Sequence, residues 1–372
     1  MAIDALNNFL KKISVPHINT LLVKKSMMFH EQKDSMSERY IKVFKQAFLE
    51  VRKFTEHYGK EIAKVSFTLL RSNLLYEKML FDVHVYDKDW YVNDYIKTGE
   101  IDVTDFFLEL IDARTHLQQE EKKFVGKINI SDVDNAISLH FNFFNAFFRK
   151  MFQYILIDLI ESDEYASIQK SDIFDIYTGE LYGEPFTLHR EVKNNTDLSR
   201  LIYKADEDRY CRNYDLRGND FTVKDMSGYD FRYTDFRECC LKQADWTNSA
   251  LAGAIFKGCD MPGAILRNTV LSEANFQNAD LREVDLSGAA STEGVFEGYN
   301  SIAPCNLPLN LRGADMSEAV IERAIFLGTD FTEAKLDGVS FAGTNMFRCK
   351  FTSAQISKLN LSDDQLSQII VI

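Results

Sequence analysis

The chain has 372 residues, room for two domains, with 45% hydrophobic and 27% charged residues and a formal net charge of −13. The acid excess divides almost evenly: residues 1–210 hold 28 Lys+Arg against 34 Asp+Glu, and residues 211–372 hold 15 against 22, giving −6 and −7. No basic stripe or arm speaks for direct nucleic-acid binding, and the most apolar stretch, Phe141–Ile160, is interrupted by Arg149, Lys150 and Asp158, which argues against a membrane span.

Met1-Ala2-Ile3-Asp4 lacks a basic region followed by an apolar run, so no signal peptide is expected, and of the six cysteines Cys239, Cys259 and Cys349 read as reduced core residues of a cytoplasmic protein. The spacing of Tyr40, Phe44, Phe48, Val51 and Tyr58 predicts a helix from Ser37 to Tyr58, stopped by Gly59. Val65, Phe67 and Leu69, then Met79, Phe81, Val83 and Val85, alternate as two antiparallel strands, with a short third strand around Trp90–Val92. Thr104 opens a helix to about Leu117. Ser131 opens a longer one to about Glu161, whose phenylalanines read as a core face. Tyr177–His189 returns to β character with Gly179 and Gly183 as turn residues. The class of residues 1–195 is α+β.

Nothing in this half forms a catalytic constellation. Histidines 17, 30, 57, 84, 116, 140 and 189 are scattered, with no metal-ligand spacing. Asp87-Lys88-Asp89 fails as a calcium loop because Tyr91 and Val92 stand where an oxygen ligand and a glycine are needed. Phosphate-binding and nucleophile-elbow motifs are missing. No catalytic residue, metal or cofactor is expected, and the chain does not read as an enzyme.

From Leu216 onward every fifth residue is large and apolar. The series runs through Phe221, Met226, Phe231, Phe236, Leu241, Trp246, Leu251, Phe256, Met261, Leu266, Leu271, Phe276, Leu281 and Leu286, and resumes with Leu311, Met316, Ile321, Phe326, Phe331, Leu336, Phe341, Met346, Phe351 and Ile356. A period of five fits neither helix nor flat strand and demands a backbone that turns a corner every five residues. Two residues before each large one stands a small one, such as Ala244, Ala254, Cys259, Ala264 or Ala314. The residue just before is often Asp or Asn. On these units, shown most clearly by Ala279-Asp280-Leu281-Arg282-Glu283, residues 214–362 resemble the pentapeptide-repeat proteins. The resemblance implies a right-handed, quadrilateral β-helix with four five-residue units per coil.

The expected organisation is thus an α+β domain over 1–195, a linker and solenoid cap over 196–213, the β-helix over 214–361, and a C-terminal capping helix within 362–372. Residues 287–310, with Gly294, Gly298, Pro304 and Pro308, form an irregular coil or, preferably, a loop projecting from a continuing rod. Ser362 with Gln365 is a capping-box start. The apolar tail after it is a lid on the last coil or a homodimer contact.

Counting in twenties stacks Arg217, Arg237 and Lys257 on one side, Lys242 and Arg282 on the next, Arg267 on the third, and Arg232 with Arg312 on the fourth. Function is then expected on the outside: a scaffold binding a protein partner through Arg217, Arg237, Lys257 and the segment carrying Phe296 and Tyr299. The alternative implied by the resemblance is a DNA mimic that protects a type II topoisomerase, as in quinolone-resistance pentapeptide proteins. That role needs a strongly negative face.

Overall fold

Period-two alternation in residues 62–87 builds the first two strands. β1 (Ile62–Leu69) and β2 (Leu80–Asp87) pair antiparallel, with Phe67 opposite Val83. The chain is seen in a computed structural model that describes residues 2–88, 95–180, 185–193, 209–292 and 307–372. The expected strand at Trp90–Val92, the Gly183 turn, positions 194–208 of the connection, and Phe296 and Tyr299 lie outside those residues. The described residues fall into two compact units, one within 1–193 and the other over 209–292 with 307–372.

In the first unit, β3 (Ile96–Asp102) joins β2, β4 (Lys170–Glu180) joins β1 in parallel, and β5 (Phe186–Val192) joins β4, in the order β3-β2-β1-β4-β5. The strands alternate, so Val65, Phe67, Phe81, Val83, Phe174 and Ile176 share one buried face. After a short helix, α1 (Ala2–Phe9), the long α2 (Val15–Tyr58) ends at Gly59, whose φ of 60° is the left-handed stop expected of it. α3 (Leu108–Glu121) follows a 3-10 turn that opens at Thr104, and α4 (Ile130–Leu159) starts from a capping box of Asn129 and Asp132. The aromatic core joins α2, α4 and the sheet. Phe44 lies 5.0 Å from Phe67 and 4.0 Å from Phe152, and Phe81 lies 4.9 Å from Phe148.

Three expectations need correction. α2 starts at Val15, not Ser37, because its first half buries polar side chains that break an apolar stripe. Lys25 is buried, donating to the Phe106 carbonyl at 2.7 Å and the Glu109 carboxylate at 3.0 Å. β4 starts at Lys170, ahead of Tyr177. Gly179 makes no turn; it lies within β4 opposite Thr68.

The second unit is a solenoid. In the regular coils the residue before the large apolar one bridges in parallel to the residue twenty further on, as in Asp215 to Asp235 and Asp235 to Ile255. Four five-residue units therefore make one coil. The apolar column is buried from Leu216 to Phe351, and the small column packs inside it, including Ala244, Ala254, Cys259 and Ala314. Like residues stack from coil to coil: Phe236 on Phe256 at 4.9 Å and 3°, Phe256 on Phe276 at 4.6 Å and 7°.

The corners are equally regular. Thr234 N donates to the Phe231 carbonyl at 3.1 Å, and Tyr233, second after the apolar residue, takes φ 61°. A type II turn demands that sign at this place, which glycine meets without strain and other residues at about 1 kcal/mol. Gly253 is further required because a Cβ there would strike the Tyr233 ring leaning over it from the coil before.

Between Ser291 and Asn310 the register changes once. Asn275 bridges to Asn310, Asp280 to Asp315 and Ala290 to Ile325, a step of 35 where a coil takes 20, so 15 residues are surplus. Parallel pairing continues on both sides of the surplus, with Ser291 stacked beneath Phe326. The step is 20 again from Asn310, which bridges to Asp330, and stays so to Lys350, which pairs with Ile370, and Phe351, which pairs with Val371. Between them lie two short helices, Ser353–Ile356 and Asp363–Gln368, and the second has the expected Ser362–Gln365 capping box.

Candidate interaction surface

The outward residues of each five-residue unit are the one before the apolar residue and the two after it. The first is held by the backbone. Asp220 accepts from Thr222 N at 2.9 Å, Asp245 from Thr247 N at 2.9 Å, and Asn275 from Gln277 N at 3.0 Å. This is the Asx turn, in which a short carboxylate or amide replaces a backbone acceptor. It explains the recurrence of Asp and Asn as a folding requirement.

Where Arg follows two positions later, it folds back on the same carboxylate. Arg217 reaches Asp215 at 2.6 Å, Arg232 reaches Asp230 at 2.7 Å, Arg237 reaches Asp235 at 2.7 Å and Arg282 reaches Asp280 at 2.6 Å. The Arg282 guanidinium holds the Asp280 carboxyl below the ordinary carboxylate range. Hydrogen bonds from Thr222 do the same for Asp220.

The register step re-sorts the sides. Asn278 N donates to the Arg312 carbonyl at 3.0 Å, where Gly258 N one coil earlier donates to that of Gln277 at 2.9 Å. Arg312 therefore stands over Gln277, in line with Arg217, Arg237 and Lys257, and not with Arg232. Within that column Arg237 is only 8% exposed and closed on Asp235, and Arg217 is shared between Asp215 and Asp235. These two predicted contact residues are therefore tied into the rod wall. Lys257 is exposed, as is Arg312, which pairs with Glu333 at 2.6 Å.

The neighbouring side carries Asp220, Asp260, Asp280 and Asp315 in one column, with Glu283, Glu318 and Asp337 beside it. Its three cations are each committed: Lys242 to Asp260, Arg282 to Asp280 and Lys335 to Asp315. A third side carries Ala250, Val270, Ala290 and Ile325 in its first column, in line with Asp230, which is paired with Arg212 and Arg232. Counting in twenties through the surplus segment puts Asp315 and Ile325 on the wrong sides.

Burial pushes the Cys259 thiol up to about 12, so it is a protonated core residue with no nucleophilic character. Among the described residues no disulfide forms, and no group of three or more His, Cys, Asp or Glu side chains converges as a metal set. No described helix is long and apolar enough to cross a membrane.

The family profile described as pentapeptide repeats matches in eight copies over residues 230–268, 249–288, 309–338 and 329–363. Solved structures of similar proteins include QnrB1, a plasmid-mediated fluoroquinolone resistance protein (18% identity, 44% of this chain and 84% of that one, TM-score 0.25). Others are Rfr23 from the cyanobacterium Cyanothece (19%, 40% and 94%, TM-score 0.16) and HetL from the cyanobacterium Nostoc (20%, 40% and 94%, TM-score 0.14). No curated protein matches the chain. The N-terminal half matches no family; the rod that follows it is a β-solenoid of pentapeptide repeats.

Proposed function

We propose that this chain is a non-enzymatic scaffold that binds a protein partner through the outer faces of its solenoid. The observation that carries this reading is that the interior is filled by apolar residues, while charged side chains stand on the outer faces, as in the run Asp260–Asp280–Asp315. Surfaces of this kind suit a salt-sensitive protein contact, since opposed charges steer and orient a partner. The lack of disulfides among the described cysteines suits a reducing, cytoplasmic setting. The four-sided coil is taken to be right-handed, as the family resemblance implies, with the residues after Leu361 as its cap.

Lys257 and Arg312 are the recognition cations we assign, in place of the whole Arg217–Arg237–Lys257 column. Affinity capture from the source cell with full-length chain tests this. The double variant Lys257→Glu/Arg312→Glu should lose the captured partner while its Tm shifts by the equivalent of less than about 1 kcal/mol, because exposed charges contribute little to stability. Undiminished capture rejects these residues.

A second reading, DNA mimicry toward a type II topoisomerase, is favoured by the acidic column Asp220–Asp260–Asp280–Asp315 and by its exposed neighbours Glu283 and Glu318. A gyrase supercoiling assay distinguishes it. Protection that disappears in Asp220→Lys/Glu283→Lys/Glu318→Lys supports mimicry; no effect of the wild-type chain on supercoiling removes it.

A further inference from the structure

We propose that residues 352–372 are a terminating coil, in which two glutamine side chains replace backbone rungs so that no strand of a second copy adds to those sides of the rod. The tail has the length of one coil, since Lys350 pairs with Ile370, and it keeps the five-residue phase through Ile356, Leu361, Leu366 and Val371. What changes is the donor.

In an ordinary rung, the residue before the apolar one donates its backbone N–H to the carbonyl 21 positions earlier. Lys335 donates to Ala314 at 2.9 Å, Asn345 to Ala324 at 3.0 Å and Lys350 to Thr329 at 2.9 Å. Ile370 still does so to Cys349 at 2.8 Å. Positions 355 and 365 lie in the same phase but sit in helices, and their side chains make the bond instead. Gln355 Nε2 donates to the Ala334 carbonyl at 2.8 Å, and Gln365 Nε2 to the Thr344 carbonyl at 3.4 Å, both steps of 21. The second proton of each amide goes to Phe331 O and Phe341 O, each at 2.7 Å.

A backbone rung leaves the new coil with its own strand groups for the next. The glutamine rung does not. Gln355 Oε1 turns back to accept from Thr352 N at 2.8 Å and Gln365 Oε1 from Ser362 N at 3.1 Å, closing the two capping boxes. The carbonyls that a further strand would use on these two sides are occupied, and the side chains that occupy them offer nothing onward. Open strand edges are the usual route to end-on association. The device therefore acts as a stop signal, written as Thr/Ser-x-x-Gln twice at a spacing of ten.

The test uses the full chain. Gln355→Met/Gln365→Met keeps side-chain length and removes the donors. Light scattering coupled to size exclusion, over a concentration series, should show its mass at least doubling relative to wild type. An unchanged mass at every concentration overturns the proposal. Independently, in the wild-type chain the side-chain amide protons of Gln355 and Gln365 should exchange with solvent at least tenfold more slowly than those of exposed Gln32. Equal rates overturn the proposal without recourse to any variant, which decides the case even where the double variant fails to fold.

Discussion

In the N-terminal unit Phe44 packs on Phe67 and Phe152, 23 and 108 positions away, whereas in the rod Phe256 packs on Phe236 and Phe276, each 20 positions away. The first core closes only when helices and strands from across the first 193 residues meet, so its contacts form together or not at all. The second is a stack in which each coil answers only to its neighbours, so stability is close to a sum over interfaces. Damage should therefore spread through one unit and stay local in the other, except where a charge enters the axis.

That exception gives the largest expected effect. Phe276 is 1% exposed between Phe256 and the coil beyond it. Phe276→Asp buries an unpaired carboxylate at a cost of several kcal/mol and should abolish folding of the rod, read as loss of its protease-resistant fragment. A variant that melts like wild type would overturn the filled-axis description.

Next in size is a paired truncation. Phe152→Ala should lower the stability of the N-terminal unit by roughly 3–5 kcal/mol in a single cooperative transition. Phe341→Ala, near the end of the rod, should instead raise amide exchange over the last coils and leave exchange around Trp246 unchanged. Uniform loss of protection along the rod would show that it is as cooperative as its neighbour.

The smallest effect is electrostatic. The Asp280 carboxyl is depressed by Arg282, so the stability it contributes is present above the ordinary carboxylate pKa of about 3.9 and is lost as pH falls through its lower folded value. Melting the rod between pH 5 and pH 2 (roughly the carboxylate range) should show a decline that is shallower in Asp280→Asn, where the acceptor remains but the titration does not. Identical slopes would mean that the pair contributes nothing measurable, as many exposed ion pairs do.

How much of this was legible in the sequence depended on what each signal encodes. The five-residue period survives any insertion that is a multiple of five, so burial of Leu311, Phe326 and Phe351 could be read without knowing what lies before them. Assignment to a side needs the count in twenties, which the 15 surplus residues destroy; hence Arg312 was misplaced. The burial of Arg237 was not legible for another reason, since its side chain folds back on Asp235, which position alone cannot tell. In the tail, Leu361, Leu366 and Val371 hold the phase, but the helical capping signal at Ser362 masks it. In α2 the pattern faded over the half that buries Lys25 and Ser26, since polar burial has no periodic signature.

The step of 35 between Asn275 and Asn310 also describes a splice site. A parallel ladder needs only that the chain return to the next corner in phase, and loop closure grows so slowly with length that doubling an excursion costs about 0.6 kcal/mol. A rod built this way can acquire new sequence between Thr292 and Leu307 while the coils above and below keep their pairing. The architecture thus fixes the axis through pairing and asks of the connection only that it return in phase.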